Sequence, residues 1–254
     1  MLLLGFFDSN CSVGRRDAPP QCSMRTVEEL KKNMNTCNIT KALAYDVAGL
    51  EFHPTVGNQE ICALARREHR ICPMWFAMPN YTGEFMDPEE LLTEMDENGV
   101  RAVKLFPKYN ANTFSLSEWN SGELLSALEG GGYPIFIDLE QTDWDTIYSV
   151  CKSHPGLNVV VTDVYYRYAR YFYPLLKRLD NLYIETSRLK FYLSIEDICH
   201  GIGAEKLIFG TGMGIFDPGP ATAMILYANI SDSEKELIAS KNLERLLRLG
   251  EVAK

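Results

Sequence analysis

Short apolar segments rich in β-branched and aromatic residues alternate along this chain with longer amphipathic segments. This alternation is typical of strand–helix units packed around a parallel sheet. Eight such units can be counted, with strands predicted at residues 2–8, 41–47, 71–78, 102–106, 134–139, 158–163, 182–187 and 206–211. Eight similar units in about 250 residues favour a closed α/β barrel of the (β/α)8 type, the TIM barrel. A doubly wound sheet of eight strands is the alternative.

Residues typical of helix starts follow the predicted strands. Thr26 and Ser231 each precede acidic residues and predict helix N-caps, and Asp87 before Pro88 predicts a third. The strand–helix rhythm continues without a repeat, a low-complexity tract or a linker. We therefore expect one domain over residues 1–254.

Charge and composition restrict the class of partner. The chain has 34 acidic against 25 basic residues, a formal net charge of −9. Phosphate binding needs a basic patch, and the sequence shows none, so we expect no nucleic acid and no membrane surface as partner. The apolar opening at residues 1–7 is too short to cross a bilayer and lacks a signal-peptide pattern, which favours a cytoplasmic protein. A small-molecule substrate or ligand remains, and a homo-oligomer is left open.

The seven cysteines of the chain are scattered and form no C-x-x-C pair. This odd number and spacing favour reduced thiols over a disulfide framework or a zinc finger.

Polar residues recur where the predicted strands end, and this is where barrels of this type carry their active sites. They are Asp8, Asn10, Tyr45, Asp46, Lys104, Asp138, Glu140, Asp163, Glu185, Ser187 and Arg188. The period of two along a strand predicts that Asp8 shares a face with Asn10, and Asp138 with Glu140. Any single acid here has an alternative role as a helix cap or as the partner of an arginine. For Lys104 we favour an ion pair with Asp138 or Glu140, facing the cavity.

Two loops complete the predicted pocket. Residues 165–173 combine tyrosines with arginines, a composition suited to stacking a ring and holding a carboxylate, and Tyr166 and Arg167 are the candidates there. The alternative is a helix whose rings pack on the barrel while the arginines are solvated. The glycine-rich residues 210–214 form a weak phosphate-loop pattern. Asp217 follows them, either as a replacement acid or as a cap.

Three segments carry a family resemblance that extends over nearly the whole chain. Residues 6–14 (FFDSNCSVG) look like an opening D-x-H-x-H-x-G segment, and residues 99–107 (GVRAVKLFP) are similar to a G-x-x-G-x-K-x-x-P strand. Residues 203–211 (GAEKLIFGT) look like a last barrel strand. On these motifs the chain resembles the amidohydrolase-related metal-dependent hydrolases of (β/α)8 fold (amidohydrolase 2), in the branch with lactonases and aromatic-acid decarboxylases. The resemblance implies a TIM barrel.

The chain departs from that family at the positions that carry its chemistry. The two histidines after the first strand fall on Asn10 and Ser12, and those of the fifth and sixth strands fall on or near Asp138 and Asp163. The catalytic aspartate after the last strand falls on Gly212. Asparagine and serine cannot replace the basic ligands of a tight zinc site, so we expect no metal.

Other metal-binding alternatives can be read from the sequence. Of the four histidines, only His53 follows a predicted strand end closely enough to reach the site. A divalent metal such as magnesium or calcium held by carboxylates is the minority alternative. Its ligands would come from Asp8, Asp138, Glu140, Asp163 and Glu185.

Two functions follow from these residues. The first is a metal-independent hydrolase or lyase acting on a small carboxylated or ring substrate. Its acids and bases would be Asp138, Asp163 and Glu185, whose crowding separates their pKa values. Its substrate contacts would come from Asp8, Asn10, Lys104, Glu140, Tyr166, Arg167 and Arg188, with Lys104 and Arg188 holding an anion. The second is a catalytically inactive relative that keeps the cavity as a ligand-binding or regulatory protein.

Overall fold

Nine parallel strand segments form a barrel in the computed structural model, which describes residues 4–17, 26–108 and 112–249. They are β1 (Phe6–Val13), β2 (Ile39–Asp46), β3 (Ile71–Pro73), β4 (Trp75–Phe76), β5 (Val103–Leu105), β6 (Ile135–Asp138), β7 (Val159–Thr162), β8 (Leu182–Glu185) and β9 (Leu207–Ile208). β3 and β4 are two parts of one barrel position, and we call each such position a stave. The two parts are interrupted at Met74, whose N–H still donates to the Ala44 carbonyl at 2.8 Å. The described strands thus make eight staves.

Hydrogen bonds between the first and last staves close the barrel. The Ser9 N–H donates to the Phe209 carbonyl at 3.0 Å, and the Ser12 N–H donates to the Met213 carbonyl at 2.8 Å. All named strand pairs, from β1 with β2 to β8 with β9, are parallel. The predicted (β/α)8 barrel is confirmed, since a doubly wound sheet would leave these two edges apart.

The helices surround the staves in sequence order. They are α1 (Val27–Thr36), α2 (Ala48–Glu51), α3 (Pro54–Ala65), α4 (Pro88–Glu97), α5 (Glu118–Gly131), α6 (Trp144–Ser153), α7 (Ala169–Leu176), α8 (Ser194–Gly201), α9 (Gly219–Tyr227), α10 (Asp232–Glu236) and α11 (Asn242–Leu246). Thr26 and Ser231 form capping boxes, as predicted. Asp87 precedes α4 but makes no cap bond, because its carboxylate accepts from the Asn80 amide instead.

The first strand differs from its prediction. We expected it at residues 2–8, of which residues 2 and 3 lie outside the described ranges. In the structure β1 continues to Val13, so that Asp8 lies inside the strand and not at its end. The polar run after Asp8 stays extended because its backbone bonds to β2 on one side and to the last stave on the other. A register shift between Asp8 and Cys11 accompanies it.

Apolar side chains fill the amino-terminal part of the barrel and leave the opposite end polar. The interior cluster includes Phe7, Leu43, Phe76, Phe136, Val160 and Ile208, and leucines of α11 pack against it. The Asn242 amide of α11 donates to the carbonyls of Ala204 and Leu207, at the beginning of β9. This packing closes one end of the barrel, so that the site can open only at the other.

Two further sequence expectations concern the whole chain. Among the described residues, no helix is both long and apolar enough to span a bilayer. The six cysteines in the described ranges are free thiols, and Cys22 lies outside those ranges.

Candidate active site

A cavity of about 260 Å³ opens at the carboxyl ends of the barrel strands. Residues from the first, second, fifth, sixth, seventh and last staves and their loops contribute to it. Its walls are formed by Asn10, Ser12, Tyr45, Asp138, Glu140, Asp163, Tyr165, Arg188, Gly212, Met213, Ile215 and Phe216. The cavity lies at the end of the barrel where we expected the site.

A buried ion pair lies beneath the cavity. The Lys104 ammonium, 1% exposed, lies 2.8 Å from Asp138 Oδ1 and donates to Asn10 Oδ1 at 3.2 Å. Asp138 also accepts a hydrogen bond from the Thr162 hydroxyl. The predicted ion pair is confirmed, and Asp138 is the partner. Burial has the largest single effect and lowers the pKa of Lys104, but Asp138, Tyr45 and Glu185 together outweigh it and hold that pKa above its ordinary value.

Asn10 extends this network to a second buried acid. Its amide donates to Glu185 Oε2 at 3.1 Å, and the Ser187 hydroxyl donates to the same oxygen at 2.7 Å. Glu185 has room only because residue 210 is glycine, since a Cβ there would overlap its carboxylate. Burial raises the pKa of Glu185 to about 7. Glu185 therefore supports the cavity from below and is not among the residues that line it.

Asp8 is fully buried at the junction of the first and last staves. Its carboxylate accepts from the Thr211 N–H at 3.0 Å, from the Thr211 hydroxyl, and from the Asn10 N–H at 3.0 Å. Burial raises the pKa of Asp8 to about 6, against the effect of these hydrogen bonds. Its contacts join the two staves that close the barrel, and it does not line the cavity.

Asp163 lines the cavity in a strained backbone conformation. Its φ of 61° lies in the left-handed region, which a non-glycine residue adopts at a cost of about 1–3 kcal/mol. Its Oδ1 lies 3.5 Å from Arg188 Nε. Burial raises the pKa of Asp163 above its ordinary value, and the Arg188 guanidinium opposes that shift. This conformation occurs directly after the end of β7, where Asp163 forms part of the cavity wall.

Arg188 lies between two aromatic rings at the cavity wall. Its Cζ is 4.1 Å from the centre of the Tyr165 ring and 4.7 Å from the centre of the Phe216 ring. Phe216 can lie there because residue 212 is glycine with a φ of +67°, and a Cβ at that position would be 2.6 Å from the ring. These two ring contacts restrict the guanidinium and favour ligand binding through its edge.

Comparison with known proteins places the chain in a family. A family model described as amidohydrolase matches residues 44–249. The chain belongs to the amidohydrolase family. No protein with a curated description matches the chain significantly.

Solved structures similar to this amidohydrolase-family barrel support its fold. An uncharacterised TIM-barrel protein from Bordetella bronchiseptica has a TM-score of 0.73 at 18% identity, over 96% of this chain and 99% of its own. A 2,6-dihydroxybenzoate decarboxylase from Rhizobium has a TM-score of 0.70 at 14% identity, over 97% and 99%. A 5-carboxyvanillate decarboxylase from Novosphingobium aromaticivorans, complexed with manganese and 4-hydroxy-3-methoxy-5-nitrobenzoic acid, has a TM-score of 0.74 at 12% identity, over 97% and 96%.

The candidate residues chosen from the sequence fall into three groups. Asn10, Asp138, Glu140, Asp163 and Arg188 line the cavity. Asp8, Lys104 and Glu185 are buried behind its walls. Tyr166 and Arg167 lie at the surface outside it, where the Arg167 guanidinium donates to the Tyr166 hydroxyl at 3.1 Å. We therefore leave Tyr166 and Arg167 out of the proposals below.

Several lining residues were not assigned a substrate contact from the sequence, although some of them carried a signal there. Tyr165 precedes the turn Tyr166–Tyr168 in extended conformation, and it is this first tyrosine of the loop that faces the cavity. Tyr45 carried a signal as a polar strand-end residue. Ser12 was named only through the family motif. Phe216 carried none, because its place depends on the backbone turn at Gly212.

Two further candidates act as helix caps. His53 begins α3, where its Nδ1 accepts from the Thr55 N–H at 3.2 Å. Asp217 precedes α9, and its Oδ1 accepts from the Gly219 N–H at 2.7 Å. In the described part of the chain, no three His, Cys, Asp or Glu side chains are grouped to hold a metal ion.

Proposed function

We propose that this chain is an acid–base enzyme, a hydrolase or lyase that acts on a small carboxylated ring compound without a divalent metal. The observation that carries the proposal is the pairing of Asp163 with Arg188 at the cavity wall. One group can transfer a proton, and the other can hold an anion. Both come from loops after adjacent strands, as catalytic groups of such barrels usually do.

Arg188 is the proposed carboxylate-binding group. The rings of Tyr165 and Phe216 pack against its guanidinium, and the edge of the guanidinium matches the two oxygens of a carboxylate. The Tyr165 and Tyr45 rings in the cavity wall suit a planar ligand. The solved decarboxylases of similar fold act, by their titles, on ring carboxylates. These observations together favour a single-ring acid or its lactone.

Asp163 is the proposed general acid or base. Burial already raises its pKa, and the main opposing charge is the Arg188 guanidinium. A substrate carboxylate bound to Arg188 would neutralise that charge and raise the pKa of Asp163 further. Substrate binding would thus favour the protonated acid, which can donate a proton to the ring or to a leaving oxygen. Asp138, in contrast, is engaged at the cavity wall by its ion pair with Lys104.

The residues at this site do not fit a divalent metal. Asp138 is the acid at the centre of the cavity floor, and the Lys104 ammonium, a fixed positive charge, already binds it at 2.8 Å. Asn10 gives its amide oxygen to the same ammonium. Three structures of similar fold bind manganese by their titles, but the donor set here is engaged. The proposed reaction therefore uses no divalent metal.

A ligand-binding protein without turnover is the second candidate function. The observation that favours it is that Asp8, Asp138 and Glu185 each have two or more partners within the chain. Acids engaged in this way stabilise a cavity but are poorly free to transfer protons. Arg188 and its two rings would serve a binding protein equally well.

Turnover by metal-free protein distinguishes these functions. We would treat the protein with a chelator, incubate it with hydroxylated benzoic acids and aromatic lactones, and identify products by mass spectrometry. Asp163→Asn keeps a residue that tolerates the left-handed conformation, and we expect it to lower turnover at least about 100-fold. Asp217→Asn is the matched control and should keep full activity, since Oδ1 can still cap α9.

Each outcome of this experiment has a defined meaning. Turnover that Asp163→Asn leaves unchanged would refute the catalytic proposal. Saturable binding of ring acids with no product, weakened by Arg188→Lys, would favour the binding protein. Activity that appears only after manganese is added would refute the metal-free mechanism.

A further inference from the structure

A lysine ammonium lies directly behind the floor of the cavity. Its Nζ contacts two residues that line the cavity, Asn10 at 3.2 Å and Asp138 at 2.8 Å. Aromatic rings stand on its other sides, with the centres of Tyr45 and Phe106 at 5.1 and 5.7 Å. Lys104 is thus held like a bound cation, by oxygen donors on one side and ring faces on the other.

This burial of a charge is costly unless the charge is compensated. Lys104 is one of the largest fully buried side chains of the described chain, together with phenylalanines, leucines and isoleucines. Its compensation comes from Asp138 and from the Asn10 amide, which in turn binds Glu185. The resulting network joins β1, β5, β6 and β8 across the barrel. A cation is therefore built into the centre of the site.

We infer that Lys104 is the resident cation of this cavity and excludes a divalent metal by occupying the oxygen donors of Asn10 and Asp138. This inference rests on the proposed metal-free function. The lysine itself matches the family's G-x-x-G-x-K-x-x-P pattern, and the difference in this chain is that Asn10 and Asp138, which fall at two of the family's histidine positions, bind its ammonium. A divalent ion bound to Asp138 would lie within a few ångströms of the ammonium. Like charges at that separation in a buried site repel strongly. A divalent metal and the charged lysine therefore compete for the same oxygen donors and do not bind them together.

Lys104 then acts as a positioning residue. It does not line the cavity, but it forms an ion pair with Asp138 and fixes the Asn10 side chain between itself and Glu185. The cavity floor consequently has a defined pattern of charge without any bound ion.

Manganese binding tests the inference without substrate. We would measure binding to chelator-treated protein by electron paramagnetic resonance and by the manganese-dependent shift of the melting temperature. Wild type and Lys104→Arg, which both keep the charge, should bind no manganese in the cavity. Lys104→Met removes the charge and should bind manganese at least about tenfold more tightly than wild type. The double variant Lys104→Met/Asp138→Asn should lose that gain.

Several results would overturn the inference. Stoichiometric manganese binding by wild type that Asp138→Asn abolishes would overturn it even if Lys104→Met failed to fold. Equal affinities of wild type and a folded Lys104→Met would also overturn it. Circular dichroism establishes folding, and Lys104→Gln is a second neutral variant. The manganese experiment uses no substrate, so it can be interpreted even if no turnover is found. Conversely, a negative manganese result does not decide the role of Asp163, which the turnover of Asp163→Asn tests separately.

Discussion

Gly212 gives the sharpest test of how the cavity wall is built. Its φ of +67° lies in the left-handed region, and a Cβ added there would be 2.6 Å from Cδ2 of Phe216. Gly212→Ala therefore has two costs. The left-handed backbone costs an alanine roughly 1–2 kcal/mol, and forcing a methyl group against a packed ring typically costs about 1–3 kcal/mol more. We expect a total loss of about 2–5 kcal/mol in the free energy of unfolding.

The chain offers a matched control for the backbone cost. Gly83 has a φ of +73° and nothing within 4 Å of an added Cβ. Gly83→Ala should therefore lose only the roughly 1–2 kcal/mol of the left-handed conformation. In the background Phe216→Ala, which removes the ring, Gly212→Ala should cost no more than Gly83→Ala does.

Urea unfolding followed by circular dichroism measures these differences, provided the slope with denaturant is the same for all variants. The affinity for benzoate should fall in Gly212→Ala as well, because a displaced Phe216 ring no longer covers the Arg188 guanidinium. Equal losses for Gly212→Ala and Gly83→Ala would refute the reasoning. The Phe216 ring would then move away freely, and it would not restrict Arg188.

Two further predictions concern the buried acid and the aromatic loop. Because burial raises the pKa of Glu185 from 4.5 to about 7, its contribution to stability is complete below the lower value and is lost as the pH rises through the higher one. Relative to Glu185→Gln, the free energy of unfolding of wild type should thus fall by about 2–3 kcal/mol between about pH 5 and pH 8. Urea unfolding at a series of pH values measures this, and parallel pH dependences of the two proteins would contradict it. Tyr165→Leu should weaken benzoate binding several-fold, since a cation–π contact is worth about 1 kcal/mol, whereas Tyr166→Leu should not change it in calorimetry. If Tyr166→Leu lost affinity and Tyr165→Leu did not, Tyr166 and not Tyr165 would be the ring that supports benzoate binding.

The barrel could be predicted from sequence because its signal is local. Seven staves consist of short apolar runs whose burial is visible in each segment alone. The exception is β1, whose second half contains Asn10 and Ser12. These polar residues remain in a strand because their neighbours lie far away in the chain, as the bond from Ser12 to Met213 shows. The sequence pattern around residue 12 gives no information about this contact with the last stave.

The site could be predicted only in part, for the same reason. The carboxyl-end rule identified the cavity acids Asp138 and Asp163. The period of two predicted that Asp8 and Asn10 share a face. The register of the strand shifts after Asp8, and in the structure Asn10 lines the cavity whereas Asp8 is buried behind its wall. Which tyrosine of a loop faces inward depends on the turn that follows, and here Tyr165 precedes the turn.

The residues that we expect at the family's metal-ligand and catalytic positions fit one another in the structure, and this bears on whether the site has function. A site that merely decays is expected to leave buried polar atoms without partners. In the described residues such atoms occur at Ser9, Asn112, Trp144 and Asn242, and none of these lines the cavity. Asn10 and Asp138 are instead satisfied by Lys104, and the glycine at 212 leaves room for the ring that covers Arg188. This mutual fit is the pattern expected of the metal-free enzyme that we propose, and a decayed site would not be expected to show it.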